Sequence, residues 1–95
     1  MHATVRQYEN IENPGEVIRL VNESFLPLMK QIQGFIAYYF VDVGNSGGRM
    51  VSVSIFETEA GAEESNKRAV DWVREHPGLI PAAKSLEEGK VVVGN

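Results

Sequence analysis

The sequence predicts a ferredoxin-like α+β fold of order βαββαβ, a four-stranded antiparallel sheet with two helices on one face, and three observations carry that prediction. The stretch Gly34 to Glu57, GFIAYYFVDVGNSGGRMVSVSIFE, holds two long apolar, β-branched and aromatic runs around a Gly-rich turn, the pattern of a β-hairpin. On either side of it lies a segment with helical spacing and a distinct start signal. A short strand-like run stands at each end of the chain. Residues 1–95 contain no linker, repeat or low-complexity tract, so one domain is expected.

His2 to Glu9 reads as the first strand, with Ala3, Val5 and Gln7 on its more apolar face and His2, Thr4, Arg6 and Tyr8 on the other. Asn13-Pro14-Gly15-Glu16 then opens a helix: Asn caps, Pro takes the first helical position, and Glu follows three residues after the cap. Val17, Val21, Phe25 and Leu28 or Met29, with Ile18 and Ile32 beside them, recur at three- and four-residue spacing and form one stripe for a sheet. Pro27 falls inside that pattern and lacks a backbone N–H, which predicts a bend or break near Glu23 to Leu26. Gly34 ends the element.

The hairpin strands are expected at Phe35 to Val43 and Arg49 to Glu57, around a mobile tip at Gly44 to Gly48. If Val43 pairs with Arg49, then Ala37, Tyr39 and Val41 share a face with Val51, Val53 and Ile55. Ile36, Tyr38 and Phe40 share the other with Met50, Ser52, Ser54 and Phe56. The first face is expected to meet the helices and the second, aromatic and hydroxylic, to meet another subunit. Thr58 is the expected cap of the second helix, whose charges run from Glu59, Glu63 and Glu64 to Lys67, Arg68 and Arg74, in the order the helix dipole favours. Ala62, Ser65 or Asn66, Ala69 and Val73 form its inner stripe, flanked by Val70 and Trp72, and His76-Pro77-Gly78 stops it. Leu86 to Val93 is the last strand.

Composition removes several function classes. With no cysteine, a thiolate nucleophile, a disulfide framework and a Cys-based metal site are all excluded. His2 and His76 stand far apart without ligand spacing, and read as a chain terminus and a helix end, so no metal is expected. A net charge of -4, with Lys67, Arg68 and Arg74 interleaved among acids, argues against nucleic acid. The apolar runs fall short of the roughly 20 residues a membrane span needs. MHATVRQYE lacks the basic start and apolar core of a secretory signal, so a cytoplasmic location is expected. The glycines fit no phosphate-binding spacing. A chain of this length buries only about 60 to 65% of its unfolded surface. Together with a hairpin apolar on both faces, this points to a homodimer.

The segments LPLMKQIQGF, GFIAYYFVDV and VSVSIFETEAGAEESNKRAVDWV resemble the antibiotic biosynthesis monooxygenase-like proteins of the dimeric α+β barrel superfamily, over nearly the whole chain. The resemblance implies a homodimer whose sheets face each other and a pocket between the helices and sheet of each subunit. It also implies oxidation of phenolic or quinol-type compounds with dioxygen, without cofactor or metal. Many such proteins have a Trp just after the third strand and a His within the second helix; here those positions hold Glu57-Thr58 and Asn66. The function expected from this resemblance is a cofactor-independent monooxygenase for a small aromatic or polycyclic compound. The alternative is a non-catalytic dimeric binding or stress-response protein of the same fold.

A cofactor-free oxygenase must hold a substrate anion and exclude water, which calls for amide or cationic donors among aromatics. Gln7, Tyr39, Asn66 and Trp72 are the candidate ligand-binding residues, on the expectation that they converge on the helix side. Asn66 has a structural reading as a helix-edge amide, and Trp72 one as core packing. Arg6, Tyr8, Tyr38, Phe40, Ser52 and Ser54 are the candidate dimer-interface residues, where Tyr and Arg are enriched.

Overall fold

In the computed structural model, which describes residues 1–44 and 48–94, strand β1 (His2–Tyr8) is an inner strand of a four-stranded antiparallel sheet. Its neighbours are β3 (Met50–Phe56) and β4 (Ser85–Lys90), and β2 (Phe35–Asp42) lies beyond β3, giving the order β2-β3-β1-β4. Crossing helices join β1 to β2 and β3 to β4, so the fold is the ferredoxin-like arrangement of the expected element order. The hairpin tip at Asn45 to Gly47 lies outside the described residues.

The first crossing begins as its residues dictate. Asn13 Oδ1 accepts from the Glu16 backbone N–H at 3.3 Å, and helix α1 (Pro14–Leu20) follows. At Val21–Phe25 the ladder widens into one π-helical turn, in which the Leu26 N–H reaches back to the Val21 carbonyl, and helix α2 (Leu26–Lys30) resumes after it. Pro27 explains the widening. It donates no hydrogen bond and its ring crowds the preceding turn, a conflict that one inserted residue relieves. Val17, Val21, Phe25, Met29 and Ile32 are buried as the stripe predicts, whereas Ile18 is exposed.

Helix α3 (Glu59–Glu75) is capped by Thr58, whose Oγ1 accepts from the Gly61 N–H at 3.2 Å. Its buried residues are Gly61, Ala62, Ser65, Ala69 and Trp72. All but the Trp are small, which lets the helix axis approach the sheet.

The hairpin register is the expected one. The Val43 N–H bonds to the Arg49 carbonyl at 3.2 Å, and Val41 faces Val51, Tyr39 faces Val53 and Ala37 faces Ile55. The faces, however, are exchanged relative to expectation. The helices cover Thr4, Arg6, Tyr8, Tyr38, Phe40, Met50, Ser52, Ser54 and Phe56, while Ala3, Val5, Gln7, Ala37, Tyr39, Val41, Val51, Val53 and Ile55 lie on the open side. Side-chain length decides this. The gap between a helix layer and a sheet must be filled to crystal-like density, and Tyr8, Phe40, Met50 and Phe56 reach across it where Ala and Val do not.

Two boundaries also differ. A bulge between Phe35 and Ala37 leaves Ile36 out of the pairing and turns Phe35 inward, where it meets Phe56 edge-on at 5.8 Å between ring centres. Strand β4 ends at Lys90 rather than Val93, because its partner β1 ends at His2; a last rung joins the Val91 N–H to the Met1 carbonyl at 2.9 Å. Val92 and Val93 stay exposed.

Candidate functional site

The polar chemistry of the helix-facing layer centres on three side chains from two strands flanking β3, two of them buried and the third, Tyr38, partly buried. Arg6 and Tyr8 project from β1 and Tyr38 from β2, with Ser52 of β3 between them. Burial raises the Tyr8 phenol above its ordinary pKa, against the opposing pull of the Arg6 charge. Burial raises Tyr38 further, and proximity to Tyr8 adds to it. Both phenols are therefore held protonated, as hydrogen-bond donors rather than bases. Ser52 Oγ stands near both without closing a hydrogen bond to either.

Arg6 is buried at 3% exposure. Its Nη2 donates to Asn66 Oδ1 on α3, and Asn66 Nδ2 donates in turn to Glu88 on β4. This relay ties three elements together. Burial lowers the Arg6 pKa, with Tyr8, Tyr38 and Glu88 acting in the other direction, but an arginine remains a cation throughout the working range of a protein.

An aromatic column rises beside these donors. Phe25, brought inward by the π-helical turn, meets Tyr38 and Trp72 edge-on, each at 5.4 Å between ring centres. Trp72 donates from Nε1 to Ser24 Oγ at 2.9 Å, and its ring lies 4.2 Å from that of His76. The His76 Nδ1 is 2.7 Å from the Trp72 carbonyl oxygen. The space enclosed by Tyr8, Phe25, Tyr38, Phe40 and Trp72 is only about 20 Å³, room for a single water. It opens toward a groove of about 390 Å³ lined by Ile18, Asn22, Leu26, Tyr38 and Phe40. On the far side a pocket of about 130 Å³ reaches Arg6. A groove of about 410 Å³ at the start of α3, lined by Gln33, Glu57, Thr58, Glu64 and Arg68, is remote from this cluster.

Of the four residues expected to converge, Asn66 and Trp72 lie on the helix side. Gln7 lies exposed on the open side, and Tyr39, 60% exposed there, touches only the outer rim of the larger groove. The residues assigned to a subunit interface, Arg6, Tyr8, Tyr38, Phe40, Ser52 and Ser54, instead form the interior of the protomer. Both corrections follow from the exchange of faces. Phe25 is expected only as part of a helical stripe and His76 only as a helix end, and Ser24 carries no expectation at all. Nothing in the spacing joins Ser24 to Trp72, 48 residues away; the break at Pro27 was the one signal available.

No family model matches the chain, and no curated protein matches it either. Solved structures do. A Chloroflexus aurantiacus protein called a "putative antibiotic biosynthesis monooxygenase" superposes with a TM-score of 0.72 at 12% identity, over 99% of this chain and 95% of that one. A variant of MhuD carrying two manganese protoporphyrin IX molecules per active site gives 0.72 at 16% identity, over 100% and 98%. A dimeric ferredoxin-like protein from an uncultured marine organism gives 0.67 at 15% identity, over 99% and 96%. The chain thus has a ferredoxin-like fold. Several solved structures that share this fold are called putative antibiotic biosynthesis monooxygenases.

Proposed function

We propose that this chain binds a small aromatic or polycyclic compound between its helices and sheet and oxidises it with dioxygen as a cofactor-independent monooxygenase. The observation that carries the reading is the pair of phenols Tyr8 and Tyr38, both held protonated and both under the influence of the Arg6 charge, at a space walled by Phe25, Phe40 and Trp72. A phenol or enol that has lost its proton is both an electron donor to dioxygen and an oxyanion. Preorganised donors in a dry site stabilise that anion more than water does. Charge in the anion reaches the ring carbon para to the oxyanion; that carbon gains one atom of dioxygen, loses its two hydrogens (or, in a naphthol, its ring hydrogen and the phenolic proton) to the second atom, which leaves as water, and becomes a carbonyl. The ligand enters by the groove beside Leu26 and Tyr38, whose volume of about 390 Å³ holds its rings, because the adjoining space of about 20 Å³ holds none.

A non-catalytic binder is the second reading, and one observation favours it. Among the described residues lining the enclosed space and the groove, none is a carboxylate or a free imidazole placed to remove the substrate proton. An anthrone and a dihydroxynaphthalene, metal-free, separate the readings. Quenching of Trp72 fluorescence with oxygen uptake supports the enzyme, and quenching without uptake supports the binder. Neither response in either compound overturns both.

The same reading includes a homodimer. The open face presents Ala3, Val5, Tyr39, Val41, Val51, Val53 and Ile55, with Tyr39 60% and Val41 46% exposed. A contiguous apolar face of this kind is unusual on a monomer. A second copy seated face to face covers it and leaves the groove beside α1 free. Mass in solution tests this, and a stable monomer at micromolar concentration refutes it.

A further inference from the structure

Arg6 has a second environment besides its bond to Asn66. It forms the polar end of the pocket of about 130 Å³ on the β4 side, which is also lined by Tyr8 of β1, Ala69 and Val73 of α3, Ala83 of the following loop, and Leu86 of β4. A guanidinium carries five N–H donors. Among the described residues Arg6 uses one of them in a side-chain hydrogen bond, and that partner is a neutral amide. No carboxylate pairs with it directly, since Glu88 is reached only through Asn66. A charge at 3% exposure without a direct counter-charge is costly, and what satisfies a planar guanidinium best is a carboxylate bound through two parallel hydrogen bonds.

The rest of the pocket states what the carboxylate is attached to. Its walls are almost wholly apolar. Its volume of about 130 Å³ suits a single ring, and it is open to solvent beside the exposed Val70 and Leu86. We infer that the Arg6 pocket is a binding site for a single-ring aromatic carboxylate, with the ring between α3 and Leu86 and the carboxylate on the free edge of the guanidinium. The pocket lies on the β4 side of Arg6 and shares none of the lining of the groove beside Tyr38; Arg6 and Tyr8 serve both readings, but benzoate binding here does not depend on whether that groove binds or oxidises anything.

The probe is sodium benzoate, titrated calorimetrically into the intact protein at constant ionic strength, with benzamide as its uncharged isostere. Benzoate is expected to bind at least about tenfold more tightly than benzamide, the ratio for one charge-assisted contact. Arg6→Met removes the cation and Ala83→Phe fills the pocket while keeping Arg6; each is expected to abolish benzoate binding. Equal affinity for the two compounds overturns the inference, as does benzoate binding that survives Ala83→Phe. Should Arg6→Met fail to fold, Ala83→Phe decides. Loss of anthrone oxidation or of Trp72 quenching bears only on the Tyr38 groove, so the two conclusions fail separately.

Discussion

Replacing Thr4 by Val is expected to make the protein more stable, the reverse of the usual outcome of a core substitution. Thr4 is 0% exposed and its Oγ1 has no hydrogen-bond partner; its cross-strand neighbour on the same face, Ser54, is equally buried and equally unpartnered. An unsatisfied buried hydroxyl costs about 1–3 kcal/mol of desolvation. Valine keeps the shape and the β-branching, so no cavity offsets the gain, and both residues suit a strand. A net stabilisation of about 1 kcal/mol follows, which for a domain of this size is a rise in Tm of roughly 4–8 °C. The assay is thermal and denaturant unfolding of wild type and Thr4→Val at one fixed protein concentration, since any self-association adds to apparent stability. A fall in Tm refutes the reasoning, because it means that the hydroxyl has a partner, such as a buried water bonded to Thr4, Ser52 and Ser54 together.

Gly48 has φ +55 and faces the Ile11 backbone so closely that an added Cβ would lie 2.1 Å from the Ile11 carbonyl oxygen. Gly48→Ala is expected to cost on the order of 3 kcal/mol from strain and forced backbone movement; an unchanged denaturation midpoint contradicts that approach. The phenols of Tyr8 and Tyr38 set a pH dependence with a definite sign. Both native pKa values lie above the unfolded value of 10.0, so their contribution to stability is fully present below pH 10 and is lost as pH rises above it. Each phenol steepens the loss by about 1.4 kcal/mol per pH unit in that window. Tyr38→Phe should remove about half of the slope, and a slope unaffected by that change argues against buried phenols.

The chain order βαββαβ, the Asn13 and Thr58 caps, the disturbance ahead of Pro27 and the hairpin register are all local matters. Each depends on a few adjacent residues, through capping geometry, a missing N–H or the two-residue period of a strand, and each was legible without coordinates. Which face of the sheet the helices cover is not local. Both faces of β2 and β3 are apolar enough to be buried, and the choice depends on how Tyr8, Phe40, Met50 and Phe56 together fill the space beneath Val17, Phe25 and Trp72. That volume-matching involves residues from every element but β4, and no window of sequence contains it. The candidate site inherits the same division. Trp72 and Asn66 were recognisable from their helix positions. The pairing of Asn66 with Arg6, 60 residues away, and the gathering of Tyr38 and Trp72 around Phe25 exist only once the faces are chosen. By itself the sequence determined the elements and their register; the tertiary structure decided which side of the sheet holds the chemistry, because packing volume outweighed the count of apolar residues.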